Sequence, residues 1–289
     1  MFERLVSMIF ELAPKDFLRS VEVIAGYIDN AVDFIGILEQ IGTIPESIEH
    51  DSTEEKLFAK ASDAVLSRAF REIGLKSTIL PERADAADVL AESNIFGYTM
   101  VADAKVFRMS RTAKNQKDFK VSALSGWRKD ADYAVLCSPY FHYPRSQSQI
   151  YAQAIEYNVC LLSWENLIFM LKNGVKENID LNLSFMWNYG ERISHSIVFA
   201  DKKRCFLSDF KNVFLSTIGF SEKEYAASVN IHKSIILQRS LTERISLENM
   251  RSTILCYSRD QAISELIKAK KIDEKIKQID QFVRGLRLD

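Results

Sequence analysis

The chain has 289 residues, of which 47% are hydrophobic and 27% charged, with a formal net charge of −1. That supplies one sizeable core with additions, argues against a polycation, and means that any nucleic-acid surface must come from local clustering of charge. No run approaches the ~18 consecutive apolar residues of a membrane span, so no membrane partner is expected. Cys137, Cys160, Cys205 and Cys256 lie far apart without a CxxC pair, which argues against a zinc site or a disulfide framework. The opening Met1-Phe-Glu-Arg-Leu5 carries an early acid and no long apolar run. No signal peptide is expected, and a reduced cytoplasm is the expected setting.

In chain order, residues 1–50 read as helices, with Leu5, Met8, Ile9 and Leu12 and then Phe17, Val21, Ile24 and Ile28 at helical spacing. Ser52 opens a strong helix running to about Ile73. Asp88-Val-Leu90 is a short strand, residues 94–97 supply a turn, and Tyr98–Phe107 is a strand. Residues 111–129 read as a basic helix, 133–137 as a buried strand, 146–157 as a helix, 159–164 as a strand and 165–172 as a helix. After Gly174 the strand signals fade. Residues 205–289 look mostly helical, and Ile272, Ile276, Ile279, Phe282, Val283 and Leu286 form one apolar stripe. This order predicts an α/β (α+β) core, a mixed sheet flanked by helices. Three regions are expected: a helical N-terminal region (1–50), a catalytic core (51–175) and a mainly helical C-terminal region (176–289).

The chemistry-bearing residues lie in the strands. Side chains alternate along a strand, so Asp103 and Lys105 point to the same face, and a hairpin brings Asp88 beside Asp103. Hydrolysis of a phosphodiester needs a hard cation, and two carboxylates hold Mg²⁺ while leaving positions for water and substrate. The Ala104 carbonyl adds an oxygen ligand, and Lys105 orients the attacking water or stabilises developing negative charge. An acid-x-lysine triplet by itself is common, usually as a solvated ion pair. Here it is flanked by Thr-Met-Val-Ala and Val-Phe, and charges in an apolar strand are costly unless a metal or partner compensates them.

Asp88 followed by Asp103-Ala-Lys105 resembles the PD-(D/E)xK nuclease superfamily. The runs Val101–Lys120, Ser52–Ala61, Asp132–Leu136 and Ser163–Glu165 are similar to the HindIII family of type II restriction endonucleases, strongly over roughly residues 42–165 and weakly beyond. The resemblance implies a restriction-endonuclease-like fold and a homodimer. It also implies Mg²⁺-dependent cutting of double-stranded DNA at the palindrome AAGCTT with 5′ overhangs. A cognate DNA methyltransferase would shield the sites of a bacterial host. It implies Asp88 and Asp103 as the acids and Lys105 as the lysine, although Ala87 stands where the motif name expects proline. Superfamily nucleases often carry a further acid on the preceding helix, for which Glu55 is the candidate. Ser52 and Glu55 also have capping-box spacing, so both readings of Glu55 stand open.

From Lys105 to Lys129 eight basic residues face only Asp118. Beside the metal motif, this cluster reads as a phosphate-attracting face. Arg108, Arg111, Lys114, Asn115, Gln116, Lys117 and Lys120 are the candidate DNA contacts, because arginine suits guanine while asparagine and glutamine suit adenine. Tyr140-Phe-His-Tyr143 fits either a DNA groove or a loop packed under the sheet. His50, His142, His195 and His232 lack metal-ligand spacing, and Trp127, Trp164 and Trp187 read as core or interface anchors. The alternatives to a restriction enzyme are a repair or recombination nuclease of the same superfamily and a non-cleaving DNA-binding protein.

Overall fold

A computed structural model of the chain describes all residues except 82–85, 112–115, 145–147, 195–198 and 286–289. Gln116, residues 199–205, Glu274 and residues 282, 283 and 285 are described by backbone alone. Two compact units are present, Met1–Leu237 and Gln238–Asp289.

The first unit opens with three helices, α1 (Phe2–Leu12), α2 (Phe17–Asp29) and α3 (Phe34–Ile41). Asp16 and Asp33 cap the second and third by accepting from Arg19 N and Gly36 N. The short strand β1 (Thr43–Ile44) leads to the long helix α4 (Thr53–Glu72). Ser52 Oγ accepts from Glu55 N, and Glu54 and Glu55 place negative charge in the first turn, where the helix dipole favours it. Leu57, Phe58, Ala61, Val65 and Ala69 recur at helical spacing and are all buried.

Next come β2 (Lys76–Ile79), β3 (Val89–Glu92), β4 (Thr99–Ala104) and β5 (Phe107–Arg108). The predicted strand 98–107 is therefore two strands that serve different sheets, because β5 pairs with β1. Between β3 and β4 the chain turns through Gly97 at φ 70°, a left-handed conformation that glycine adopts without strain, while Ser93 Oγ accepts from Phe96 N. The predicted helix 111–129 is broken in two, α5 (Gln116–Phe119) and α6 (Val121–Trp127), at Lys120, whose φ is 51°. Then follow β6 (Tyr133–Ser138), α7 (Gln149–Glu156), β7 (Val159–Ser163) and α8 (Trp164–Lys172). Four helices α9 (Ser184–Trp187), α10 (Tyr189–Ser194), α11 (Phe199–Ile218) and α12 (Glu222–Leu255) come next, and the boundary between the units falls within α12.

The main sheet has five strands in the order β2-β3-β4-β6-β7. β2, β3 and β4 pair antiparallel, and β4, β6 and β7 pair parallel. The architecture is thus the expected mixed α/β sheet flanked by helices. α4 packs on β2, β3 and β4, while α1, α2 and α3 pack on α4. The parallel half is buried throughout: every residue of β7, and β6 from Ala134 to Ser138. Cys137 and Cys160 belong to this core, and Cys256 is exposed. The second unit contains α13 (Arg259–Ala269), started by a Ser258–Gln261 capping box, and α14 (Ile272–Gly285). The predicted stripe begins on α14, where Ile272, Ile276 and Ile279 are exposed. Among the described residues no helix is long and apolar enough to cross a membrane.

One histidine ties α12 to this core. His232 Nδ1 lies 3.1 Å from Glu165 Oε1, and its Nε2 lies 2.7 Å from the Glu39 carbonyl. Both facing atoms are acceptors, so only the doubly protonated ring satisfies both. Burial alone would lower the imidazole pKa, but Glu165 and Glu39 outweigh it and the net direction is upward. A folded value above the unfolded ~6.5 stabilises the protein fully below that pH, and the contribution is lost as pH rises through the folded value. Raising the pH from about 6 to about 8 is expected to erode the thermal-midpoint advantage of wild type over His232→Gln. A difference that stays constant across that range would contradict this account.

Candidate active site

The β3–β4 register pairs Val89 with Ala102, and one residue further along the hairpin Asp88 stands opposite Asp103. Period-two alternation puts Lys105 on the face of Asp103, and its Nζ lies 2.5 Å from Asp103 Oδ2. Asp103 is 3% exposed, so the carboxylate predicted to sit inside an apolar strand does so.

A third acid joins this pair. Asp63, 4% exposed, projects from the sheet-facing side of α4, and oxygens of Asp63, Asp88 and Asp103 all lie within 4.8 Å of one another. Lys60, one turn before Asp63, places its Nζ 2.7 Å from Asp88 Oδ1 and 3.5 Å from Asp63 Oδ2. Three carboxylates thus meet two ammonium groups. Burial raises the Asp63 pKa well above the usual carboxylate range, the Asp88 charge raises it further, and Lys60 opposes both. Burial likewise raises Asp103, against the pull of Lys105. Three oxygen donors crowded together, two of them on buried residues, could hold a metal ion. Asp88 is the most open of the three, its side chain 30% exposed, and marks the solvent side of the cluster.

Sequence reasoning missed Asp63 and Lys60. The signal was present: Asp63 is a charge inside Ala61-Ser-Asp-Ala-Val-Leu66, every residue of which is buried. It is the same feature that drew attention to Asp103.

Glu55 is not brought to this cluster. It precedes Asp63 by eight residues on α4, about 12 Å along the axis at 1.5 Å per residue. Its Oε1 accepts from Arg108 Nη2 at 2.6 Å and its Oε2 from Asp51 N at 2.7 Å. Arg108 is turned inward as well, since its Nη1 donates to the carbonyls of Pro45 and Ile48. Arg108 and Glu55 together hold the β1 region against β5 and the start of α4.

Of the other basic candidates, Arg111 pairs with Asp118, Lys117 is exposed on α5, and Lys120 is exposed at the corner between α5 and α6. The Lys120 charge makes the smallest of the contributions acting on the Asp103 pKa, in the lowering direction. Lys114, Asn115 and the side chain of Gln116 lie outside the described residues. The aromatic run has its packed reading for Tyr143, which is buried and donates to the carbonyls of Leu136 and Leu162. His142 tilts against Phe107.

Residues 14–283 match the family model described as HindIII restriction endonuclease. The chain is 38% identical over 287 residues to the type II restriction enzyme HindIII of Haemophilus influenzae, covering 99% of this chain and 96% of that protein. Two solved structures of the restriction endonuclease FokI, free and bound to DNA, are more distantly similar. Each is 13% identical with a TM-score of 0.35, and they cover 55% and 57% of this chain. This chain spans about a third (32%) of each of them. The family match runs through every element that builds the acid cluster, and the chain belongs to the HindIII restriction endonuclease family.

Proposed function

We propose that the chain is a type II restriction endonuclease that uses Mg²⁺ to hydrolyse duplex DNA at AAGCTT, leaving 5′ overhangs. The single observation that carries this reading is the meeting of Asp63, Asp88 and Asp103 beside Lys105. Nearly full-length similarity to a HindIII enzyme supports the choice of site.

Asp63, Asp88 and Asp103 would hold the metal, joined by the Ala104 carbonyl. Bound there, Mg²⁺ would supply neutralisation of phosphate charge and activation of the attacking water. Asp103 holds the Lys105 ammonium at the site, where it faces the charge that accumulates on the phosphate as the water oxygen bonds to phosphorus and the bond to the leaving oxygen breaks. Lys60 keeps Asp88 and Asp63 together despite their mutual repulsion. We assign the helix acid of the site to Asp63, with Glu55 serving as a strut for Arg108 and as part of the α4 cap. Arg111, Lys114, Lys117 and Lys120 would attract the DNA backbone, and Asn115 and Gln116 are the side-chain types that suit adenine edges. A palindrome calls for a two-fold homodimer in which each subunit cuts one strand. A bacterial cytoplasm with a cognate methyltransferase would be its setting.

The test is cleavage of a plasmid of known sequence. With Mg²⁺, discrete fragments should end at AAGCTT with 5′ overhangs, and excess chelator should abolish them. Ca²⁺ should support binding but little cutting, because its looser coordination misplaces water and phosphate. Undiminished cutting in chelator would remove the metal from the reading, and ends mapping elsewhere would remove the site.

A further inference from the structure

Lys105 occupies an awkward place in the backbone. Ala104 is the last residue of β4, and by Phe107 the chain has joined a different sheet as β5. Lys105 therefore sits where the strand leaves its ladder, the position at which backbone direction is least determined by strand pairing. Two hydrogen bonds hold it there. Its N–H donates to the Cys137 carbonyl at 2.7 Å, and its own carbonyl accepts from the indole Nε1 of Trp164 at 3.1 Å.

The indole is itself held firmly. Trp164 is 1% exposed and is the first residue of α8. Ser163 and Asn166 form a capping box around it, with Asn166 N donating to Ser163 Oγ at 3.1 Å and Ser163 N to Asn166 Oδ1 at 2.9 Å. Its ring lies against Gly42, where an added Cβ would come within 3.0 Å of Trp164 Cδ1 and of Pro139 Cγ. Indole offers one donor and no acceptor, so the ring commits its only polar group to the Lys105 carbonyl. Fixing that carbonyl fixes the 105–106 peptide plane, and with it the direction in which the Lys105 side chain leaves the backbone.

We propose that Trp164 is a positioning residue for Lys105, acting through this hydrogen bond and not through the DNA. The proposal rests on the reading of Lys105 as a group that acts on the phosphate. A displacement of about 1 Å at a reacting group can cost about 100-fold in rate, so an unanchored Lys105 should show in the chemical step.

The experiment is single-turnover cleavage of an AAGCTT duplex with Mg²⁺, run beside binding of the same duplex in Ca²⁺ and thermal unfolding. Trp164→Phe keeps an aromatic ring and removes the N–H. It should cut about 10- to 100-fold more slowly while Kd stays near wild type, with a lowered thermal midpoint from the space that the smaller ring leaves. A second replacement at Trp164 by 3-benzothienylalanine, which substitutes sulfur for the N–H in a ring of the same shape, covers the case in which Trp164→Phe folds poorly, and should show the same rate loss. If the benzothienyl protein cuts at the wild-type rate while Lys105→Ala is slow, the positioning role is overturned and the Lys105 reading survives. If Lys105→Ala also cuts at the wild-type rate, the Lys105 reading falls and this proposal falls with it. A loss of rate, affinity and thermal midpoint in parallel in the benzothienyl protein would make Trp164 a packing residue only.

Discussion

Lys105→Ala is expected to leave a folded protein that still binds duplex DNA and cuts it about 100- to 1,000-fold more slowly, the cost of removing one group placed where charge develops. That loss corresponds to about 2.7–4 kcal/mol of transition-state stabilisation. The lysine is half of a close ion pair with Asp103, whose side chain is 4% exposed. Its removal therefore leaves a buried carboxylate without its nearest partner. The metal-free protein should absorb that cost by protonating Asp103, which burial already favours. Cleavage rate and gel-shift affinity measured on one preparation decide the matter. A variant that cuts at close to the wild-type rate would remove Lys105 from the site, whatever its binding.

The acids should behave differently from the lysine. If Mg²⁺ binds as proposed, Asp103→Asn and Asp63→Asn are each expected to lose cleavage together with the stabilisation expected on adding Mg²⁺. A ligand present at 100 times its Kd stabilises by about 2.7 kcal/mol, and wild type should show a thermal shift of that order as Mg²⁺ is added. Disturbing a hydrogen-bond partner of a metal ligand already costs roughly 10- to 100-fold in affinity, so replacing a ligand should cost more and flatten the shift. In chelator the Asp63→Asn protein should be no less stable than wild type, because the change removes a buried charge crowded by Asp88. Lys105→Ala, by contrast, should retain a thermal response to Mg²⁺. A full Mg²⁺ shift in Asp63→Asn would take the helix acid out of the metal site and reopen the position for Glu55.

The distinction between Glu55 and Asp63 shows where the sequence stops being informative. Both lie on α4, and both are acids ahead of the β3–β4 hairpin. Helical periodicity tells which residues share a face, not how far along its length a helix meets a sheet, and that distance separates a strut for Arg108 from a member of the acid cluster. The basic stretch after Lys105 has a similar history. Its composition pointed to DNA as a whole, but folding turns Arg108 inward onto Glu55 and two backbone carbonyls while leaving Lys117 and Lys120 on the surface. Charge counting along a chain cannot make that separation, because it depends on which side chain finds acceptors within reach.

What the sequence determined by itself was local. Asp103 and Lys105 share a face because a strand repeats every two residues, and Asp88 reaches Asp103 because a short turn at Gly97 closes an antiparallel hairpin. The alternation of helix and strand likewise pointed to a mixed sheet with helices on it. Only the tertiary structure brought Asp63 and Lys60 to that hairpin and Trp164 to the Lys105 carbonyl. Those contacts join residues 25 to 59 positions apart. They are set by how α4 packs across the antiparallel half of the sheet and by where α8 starts after β7, and both follow from burial of whole apolar faces. Local periodicity is a property of a few consecutive residues, whereas burial is settled by all the elements at once.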